Sequence, residues 1–240
     1  MQRGFAMVRS CLWVPIFFLG SVVIVLTSGL AAFVAEGLFF LFVRLWARWN
    51  RGCARWILGQ KVVVRGTIPE GPVFFLFKHE DMFETVDLPR LLRRPVVFAK
   101  QELFTIPVWG VLAKRYGLIP IERSAGASAL RTMRKAALGA IAAGRPLALF
   151  PEGTRVAHGQ APSIRSGFAG VYKLLGLPAV PVAINSGALK DGWVRLPGTI
   201  TYLVGETIPP GLPREEAEAL AHAALNALNS AHGAGLHESA

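Results

Sequence analysis

The sequence predicts an α/β fold: a mainly parallel central sheet flanked by helices, carried behind an N-terminal hydrophobic helical membrane anchor. Three observations predict it. The chain opens on a long, nearly uncharged apolar stretch, residues 10–41, whose one charge is Glu36. Beyond Gly52, short apolar, β-branched or aromatic runs alternate with helical stretches, the pattern of strands buried on both faces of a parallel sheet. Apolar residues make up 52% of the 240-residue chain and charged residues only 17%, which excludes an intrinsically disordered protein. The division expected is a membrane-anchoring segment over residues 1–55 and one catalytic or binding domain over 56–240, long enough to bury its own core.

The anchor comes first. A bilayer core of ~30 Å takes about 20 apolar helical residues, and this stretch is longer. It reads either as one tilted span running into a second helix or as a hairpin of two helices dipping into the membrane. Pro15, Gly20 and the Ser28-Gly29 pair are candidate break points. A cleavable signal, with an apolar region of only about 7–15 residues, fits less well. Arg3 and Arg9 precede the stretch, and Arg44, Arg48, Arg51 and Arg55 follow it, interleaved with Trp46, Trp49 and Trp56. That bias places the following domain on the cytoplasmic side, with an interfacial belt facing anionic headgroups. Cys11 and Cys53 cannot form a disulfide framework or a four-ligand zinc site, and are expected as free thiols.

Seven strand runs follow: 62–65, 73–77, 96–99, 118–121, 147–150, 180–184 and 199–205. Helices are expected over 128–143, 167–175 and 214–230, with Gly144 stopping the first. The net charge is +11, and residues beyond 50 still carry 22 Lys+Arg against 14 Asp+Glu. No nucleic-acid module accompanies that excess, so an anionic lipid surface or anionic substrate is the simpler partner.

Ligands of such sheets gather where strands end, and the chemistry-bearing residues fall there. The run at 73–77 leads into KHEDMFETVD, residues 78–87. His79 is a candidate general base with a carboxylate to orient its imidazole. Five residues turn an ideal helix by about 140°, so His79 meets Glu84 only if it precedes the helix. The run at 147–150 leads into Pro151-Glu152-Gly153-Thr154-Arg155, where Gly153 allows close backbone approach and Arg155 offers a planar fork for phosphate or carboxylate. Lys100, Glu102, Glu122 and Arg123 follow two other runs, and the run at 180–184 ends in Asn185-Ser186-Gly187, read as a turn. No nucleophile elbow, nucleotide P-loop or paired metal-ligand histidines occur in the chain.

These blocks, in this order over residues 60–205, resemble the glycerolipid acyltransferase family, in particular its bacterial 1-acyl-sn-glycerol-3-phosphate acyltransferases. FPEGTR, residues 150–155, matches the most specific block outright, and His79 opens the H-x-x-x-x-D block. KQELFTIPVWG and IPIER resemble the second block, and VPVAINSG the fourth. One departure stands out: the block's aspartate is Glu84, which keeps the charge on a side chain one methylene longer, with Asp81 and Asp87 as alternative partners. The resemblance implies transfer of a fatty acyl group from acyl-CoA or acyl carrier protein to lysophosphatidic acid, giving phosphatidic acid at a bacterial inner membrane. It implies His79 and Glu84 as the catalytic pair. It further implies Lys100, Arg123 and Arg155 on the acceptor phosphate, Glu152, Gly153 and Thr154 shaping that site, and no metal or bound cofactor. Transfer to another lysolipid, such as a lyso-ornithine lipid, would use the same pair. A membrane-bound lipid-binding protein without activity is the reading outside enzymes.

Overall fold

A computed structural model of the chain describes residues 2–121, 127–165 and 167–229. Its first element is a 33-residue helix, α1 (Gln2–Val34), followed by α2 (Glu36–Gly52) and a π-helical turn at Cys53–Leu58. The break between the two helices lies at Ala35, in extended conformation, and not at the three points the sequence suggested. Pro15 sits inside α1. Ser28 turns its hydroxyl back onto the Val25 carbonyl at 2.7 Å. Gly20 is a packing seat: a Cβ there would lie 2.5 Å from the Trp49 ring. The chain turns at Ala35 because Glu36 then falls in the first turn of α2, where the helix dipole favours a carboxylate.

The two helices form a hairpin. Trp46 Nε1 donates to Ser21 Oγ at 3.0 Å and Trp49 Nε1 to the Phe17 carbonyl at 3.3 Å. These two indoles therefore face α1, not a headgroup layer. Trp56 is 78% exposed, under the Arg55 guanidinium. The segment Arg3–Val34 is long and apolar enough to cross a membrane. Phe5, Leu12, Leu19, Val23, Leu30 and Phe33 are exposed along it, an apolar stripe that marks the helix as a membrane-associating element.

The sheet has seven strands in the order β1 (Gln60–Arg65), β9 (Gly198–Val204), β6 (Ala179–Ile184), β2 (Phe74–Phe77), β5 (Leu147–Leu149), β3 (Val96–Lys100) and β4 (Ile119–Ile121). Five of them, from β6 to β4, run parallel, and β9 pairs with β6 antiparallel. Each lies within about two residues of its run in the sequence. The sequence reading missed a small hairpin, β7 (Lys190–Asp191) with β8 (Val194–Arg195), whose two-residue strands carry no periodic signal.

Alternation across the central strands fills both faces. Phe74, Leu76, Leu147 and Leu149 pack under α5 (Ala127–Ala142), α6 (Gly167–Leu175) and α7 (Arg214–Leu225). Phe75, Phe77, Val180, Val182 and Tyr202 face the other way, onto Ala54 and α3 (Phe83–Leu91). The C-terminal helix ends earlier than the 214–230 expected, because the chain turns after Leu225 and Asn226 folds its amide onto the His222 carbonyl. A further helix, α4 (Trp109–Tyr116), follows β3. Cys11 and Cys53 are free, and burial pushes the Cys53 thiol up to about 11.

Candidate active site

Because β2, β3, β4, β5 and β6 run in one direction, the residues after them share one edge of the sheet. Lys78 and His79 leave β2 there. The chain then turns over Glu80, Asp81 and Met82 before α3 starts at Phe83, so His79 precedes the helix as the pairing requires. Glu84 lies in the first turn of α3 and reaches back. Its Oε1 accepts the Glu80 and Asp81 N–H groups, both at 2.6 Å, and lies 3.1 Å from His79 Nδ1. Its Oε2 accepts the Ser186 hydroxyl at 2.9 Å. These backbone donors belong to the irregular turn just ahead of the helix, where the ladders of β2 and α3 do not reach them. The carboxylate thus shapes the turn that holds it.

Glu84 is fully buried, while the His79 side chain keeps 18% exposure. An ionised carboxylate only accepts, so Nδ1 carries the proton in this pair and Nε2 presents a lone pair. The ring lies against Phe150 with centroids 4.4 Å apart. A fixed tautomer, a fixed ring plane and one accessible lone pair are what a base acting on a substrate hydroxyl needs.

The FPEGTR turn backs this arrangement. Glu152 is buried: Oε2 accepts the His79 main-chain N–H at 2.9 Å and Oε1 lies 3.1 Å from Lys78 Nζ. Lys78, fully buried, also donates to the Gln160 carbonyl at 2.9 Å and to Asn226 Oδ1 at 2.6 Å. Gly153 takes φ +66°, a left-handed turn that favours glycine. Val156 N–H donates to the His79 carbonyl at 2.8 Å, so the chain passes beside the imidazole and leaves Thr154 and Arg155 exposed at its edge. Lys100 is exposed at the end of β3, two strand spacings from β2 and so about 10 Å to the side. Arg123, with Glu122, lies outside the described residues.

Several participants escaped the sequence reading. Ser186, taken as part of a turn, holds the far oxygen of Glu84. Its neighbour Gly187 donates its N–H to Glu80 Oε2 at 2.8 Å, and a Cβ there would press on Glu80. Glu80 also pairs with His158 Nδ1 at 3.0 Å. Burial pushes the Glu80 carboxyl above its ordinary value, and the bonds from His158 and Gly187 only partly offset it. For Asp81 burial acts the same way but is outweighed: the Arg195 guanidinium, with Lys190 nearby, holds it below the usual range. Asp81 and Asp87 are therefore engaged by arginines and not by His79. Arg51, expected in the headgroup belt, points inward to Asp87.

A family model described as Acyltransferase matches residues 61–185, just over half of the chain, and spans the His79 turn, FPEGTR and Asn185. The chain belongs to the acyltransferase family. A 1-acyl-sn-glycerol-3-phosphate acyltransferase of Pseudomonas aeruginosa is 33% identical to this acyltransferase over 167 residues, covering 68% of the chain and 65% of the relative. One from Chlamydomonas reinhardtii is 28% identical over 68% of the chain and 49% of its own length. The chain thus spans less than two thirds of the curated relatives it matches. The crystal structure of the 1-acyl-sn-glycerophosphate (LPA) acyltransferase PlsC from Thermotoga maritima superimposes with a TM-score of 0.72 at 21% identity, over 94% of this chain and 98% of that one. The fold is therefore shared from the N-terminal helices onward.

Proposed function

We propose that this acyltransferase moves a fatty acyl group from a thioester, on coenzyme A or acyl carrier protein, to the sn-2 hydroxyl of 1-acyl-glycerol-3-phosphate, giving phosphatidic acid. The observation that carries the reading is the His79 imidazole, fixed by a buried Glu84 and open at Nε2, at a sheet edge it shares with Arg155. The names of the relatives supply the acceptor. Nε2 takes the hydroxyl proton as the oxygen attacks the thioester carbonyl. The tetrahedral intermediate collapses, the C–S bond breaks, and the imidazolium returns the proton to the departing thiolate. Glu84 stabilises the imidazolium between these steps. Arg155 and Lys100, with Arg123, hold the acceptor phosphate, Arg155 through its planar fork. Glu152 works from behind, fixing the His79 backbone.

Acceptor and product are amphiphiles of the bilayer, which gives the apolar helix its purpose. Contacts run along nearly its whole length of about 50 Å: Arg3 pairs with Asp191 at 2.8 Å, Ser10 Oγ accepts the Arg195 N–H at 2.8 Å, and the Ala32 carbonyl accepts from Arg115. A spanning helix would leave the domain behind. We therefore read α1 as lying in the membrane interface with its exposed stripe in the acyl region, the domain on the cytoplasmic face of the inner membrane.

The test is an acyl-transfer assay on the vesicle-reconstituted protein, with lysophosphatidic acid and a phosphate-free lysolipid side by side, each offered acyl-CoA and acyl carrier protein donors. Strong preference for the phosphate acceptor is expected, and Arg155→Ala and Lys100→Ala should raise its KM. Transfer only to the phosphate-free lysolipid would discard the phosphate site, and no transfer with any pair would discard the activity.

A further inference from the structure

The turn that carries His79 and Glu84 is gripped from both sides by residues of the N-terminal helices or of strands resting on them. On one flank, Asp81, with its side chain only 1% exposed, is held by both terminal guanidinium nitrogens of Arg195, Nη2 at 3.1 Å from Oδ1. Arg195 lies in β8, which rests on α1. Its guanidinium stands 4.8 Å over the Trp13 ring, and its N–H is the one bound by Ser10. On the other flank, fully buried Asp87 takes a two-pronged contact from Arg51 of α2, Nε at 2.6 Å and Nη2 at 2.8 Å, with the Tyr202 hydroxyl donating at 3.0 Å. Between them Asn50, also in α2, donates to the Phe83 carbonyl at 3.1 Å. His79 and Glu84 sit inside this bracket. Arg51 and Arg195 both fall outside the stretch the family model matches.

The five irregular residues 78–82 do not hold a base to a fraction of an ångström by themselves, and a misplacement of about 1 Å costs on the order of 10²-fold in rate. Planar forks on two buried carboxylates supply direction as well as attraction. We infer that Arg51 and Arg195 are positioning residues for acyl transfer, and that through them the helical hairpin is part of the catalytic apparatus and not a detachable anchor. The inference rests on the acyl-transfer reading above. Neither arginine touches the reacting atoms; each acts through the carboxylate it holds.

The experiment uses the full chain in vesicles and compares wild type with Arg51→Met, Arg51→Lys and Arg195→Gln, each checked for vesicle binding and a cooperative melt. Expected for both Arg51→Met and Arg195→Gln is a fall in kcat of about 10–100-fold with the acceptor KM within about twofold. Arg51→Lys, which keeps the charge but not the fork, should recover only part of the loss. Amide exchange supplies a second reading: residues 78–87 should exchange about tenfold faster in the variants, while β6 stays as in wild type. Unchanged kcat in folded variants would overturn the inference. So would exchange that rises equally in residues 78–87 and β6, the mark of global loosening. If Arg51→Met fails to fold, Arg51→Lys and Arg195→Gln carry the same comparison. Wild type without transfer activity would overturn the acyltransferase reading instead, and the exchange arm would still decide the bracket.

Discussion

Two histidine–carboxylate pairs sit in adjoining turns of this molecule, with nearly the same length and burial. His79 lies 3.1 Å from Glu84, and His158 lies 3.0 Å from Glu80. Both carboxylates are fully buried, and both imidazoles are slightly exposed. Their surroundings separate them. Glu84 gathers two backbone N–H groups, a serine hydroxyl and the imidazole, enough donors to keep a buried charge solvated by protein. Glu80 receives the Gly187 N–H and His158, and its carboxyl is pushed up by burial. The His79 pair is built for a standing negative charge beside a substrate edge. The second pair ties the stretch after Arg155 to the catalytic turn. Distance alone does not tell a catalytic pair from a structural one; the donors around the carboxylate do.

The sharpest way to break that comparison, short of His79 itself, is to disarm one member of each pair. Glu84→Gln removes the negative charge that stabilises the imidazolium and turns one of the two acceptor oxygens into a donor, and should lower kcat by about 10²-fold. His158→Ala should leave kcat within about threefold. Equal losses in a steady-state assay would erase the distinction.

Next in size is stability. Asp81→Asn removes one partner of a buried ion pair and should cost about 3 kcal/mol at neutral pH. Because the folded Asp81 carboxyl lies below its ordinary 3.8, its contribution is present above that value and is lost as pH falls through the folded value. The gap between wild type and Asp81→Asn should therefore close toward acid in urea titrations.

Ser186→Ala should follow, with about a tenfold loss in kcat and an unchanged acceptor KM, as one hydrogen bond to a charged group is removed. A raised KM with full kcat would move Ser186 from supporting Glu84 to binding substrate.

Smallest is Glu80→Gln, within about 1 kcal/mol of wild type. The sign is opposite to that of Asp81. The folded carboxyl lies above its ordinary 4.5, so Glu80 adds stability in acid and loses it as pH rises through the folded value. The melting temperature of Glu80→Gln relative to wild type should therefore be higher at pH 8 than at pH 4.5.

The sheet was legible in the sequence because each buried strand is a short apolar run bounded by turn residues, and parallel packing leaves little else for such runs to do. His79 and Glu84 were legible from type and order alone, and so was the condition that His79 precede the helix. What could not be read is what the tertiary fold alone brings together. Ser186 lies 102 residues beyond Glu84, and Arg51 looks like every other arginine in its stretch until α2 turns it onto Asp87. Gly20 looked like a helix break because its role as a seat for Trp49 depends on a helix that returns 29 residues later. The family resemblance gave Glu152 a place shaping the phosphate site, and in the fold it faces inward to Lys78 and the His79 backbone.

The central claim is that His79 moves the acceptor's proton, and single-turnover acyl transfer by His79→Ala in vesicles tests it most directly. With vesicle binding and melting temperature matched to wild type, a loss of about 10²–10⁴-fold in the transfer rate is predicted. Transfer at the wild-type rate by a folded, membrane-bound His79→Ala would contradict it.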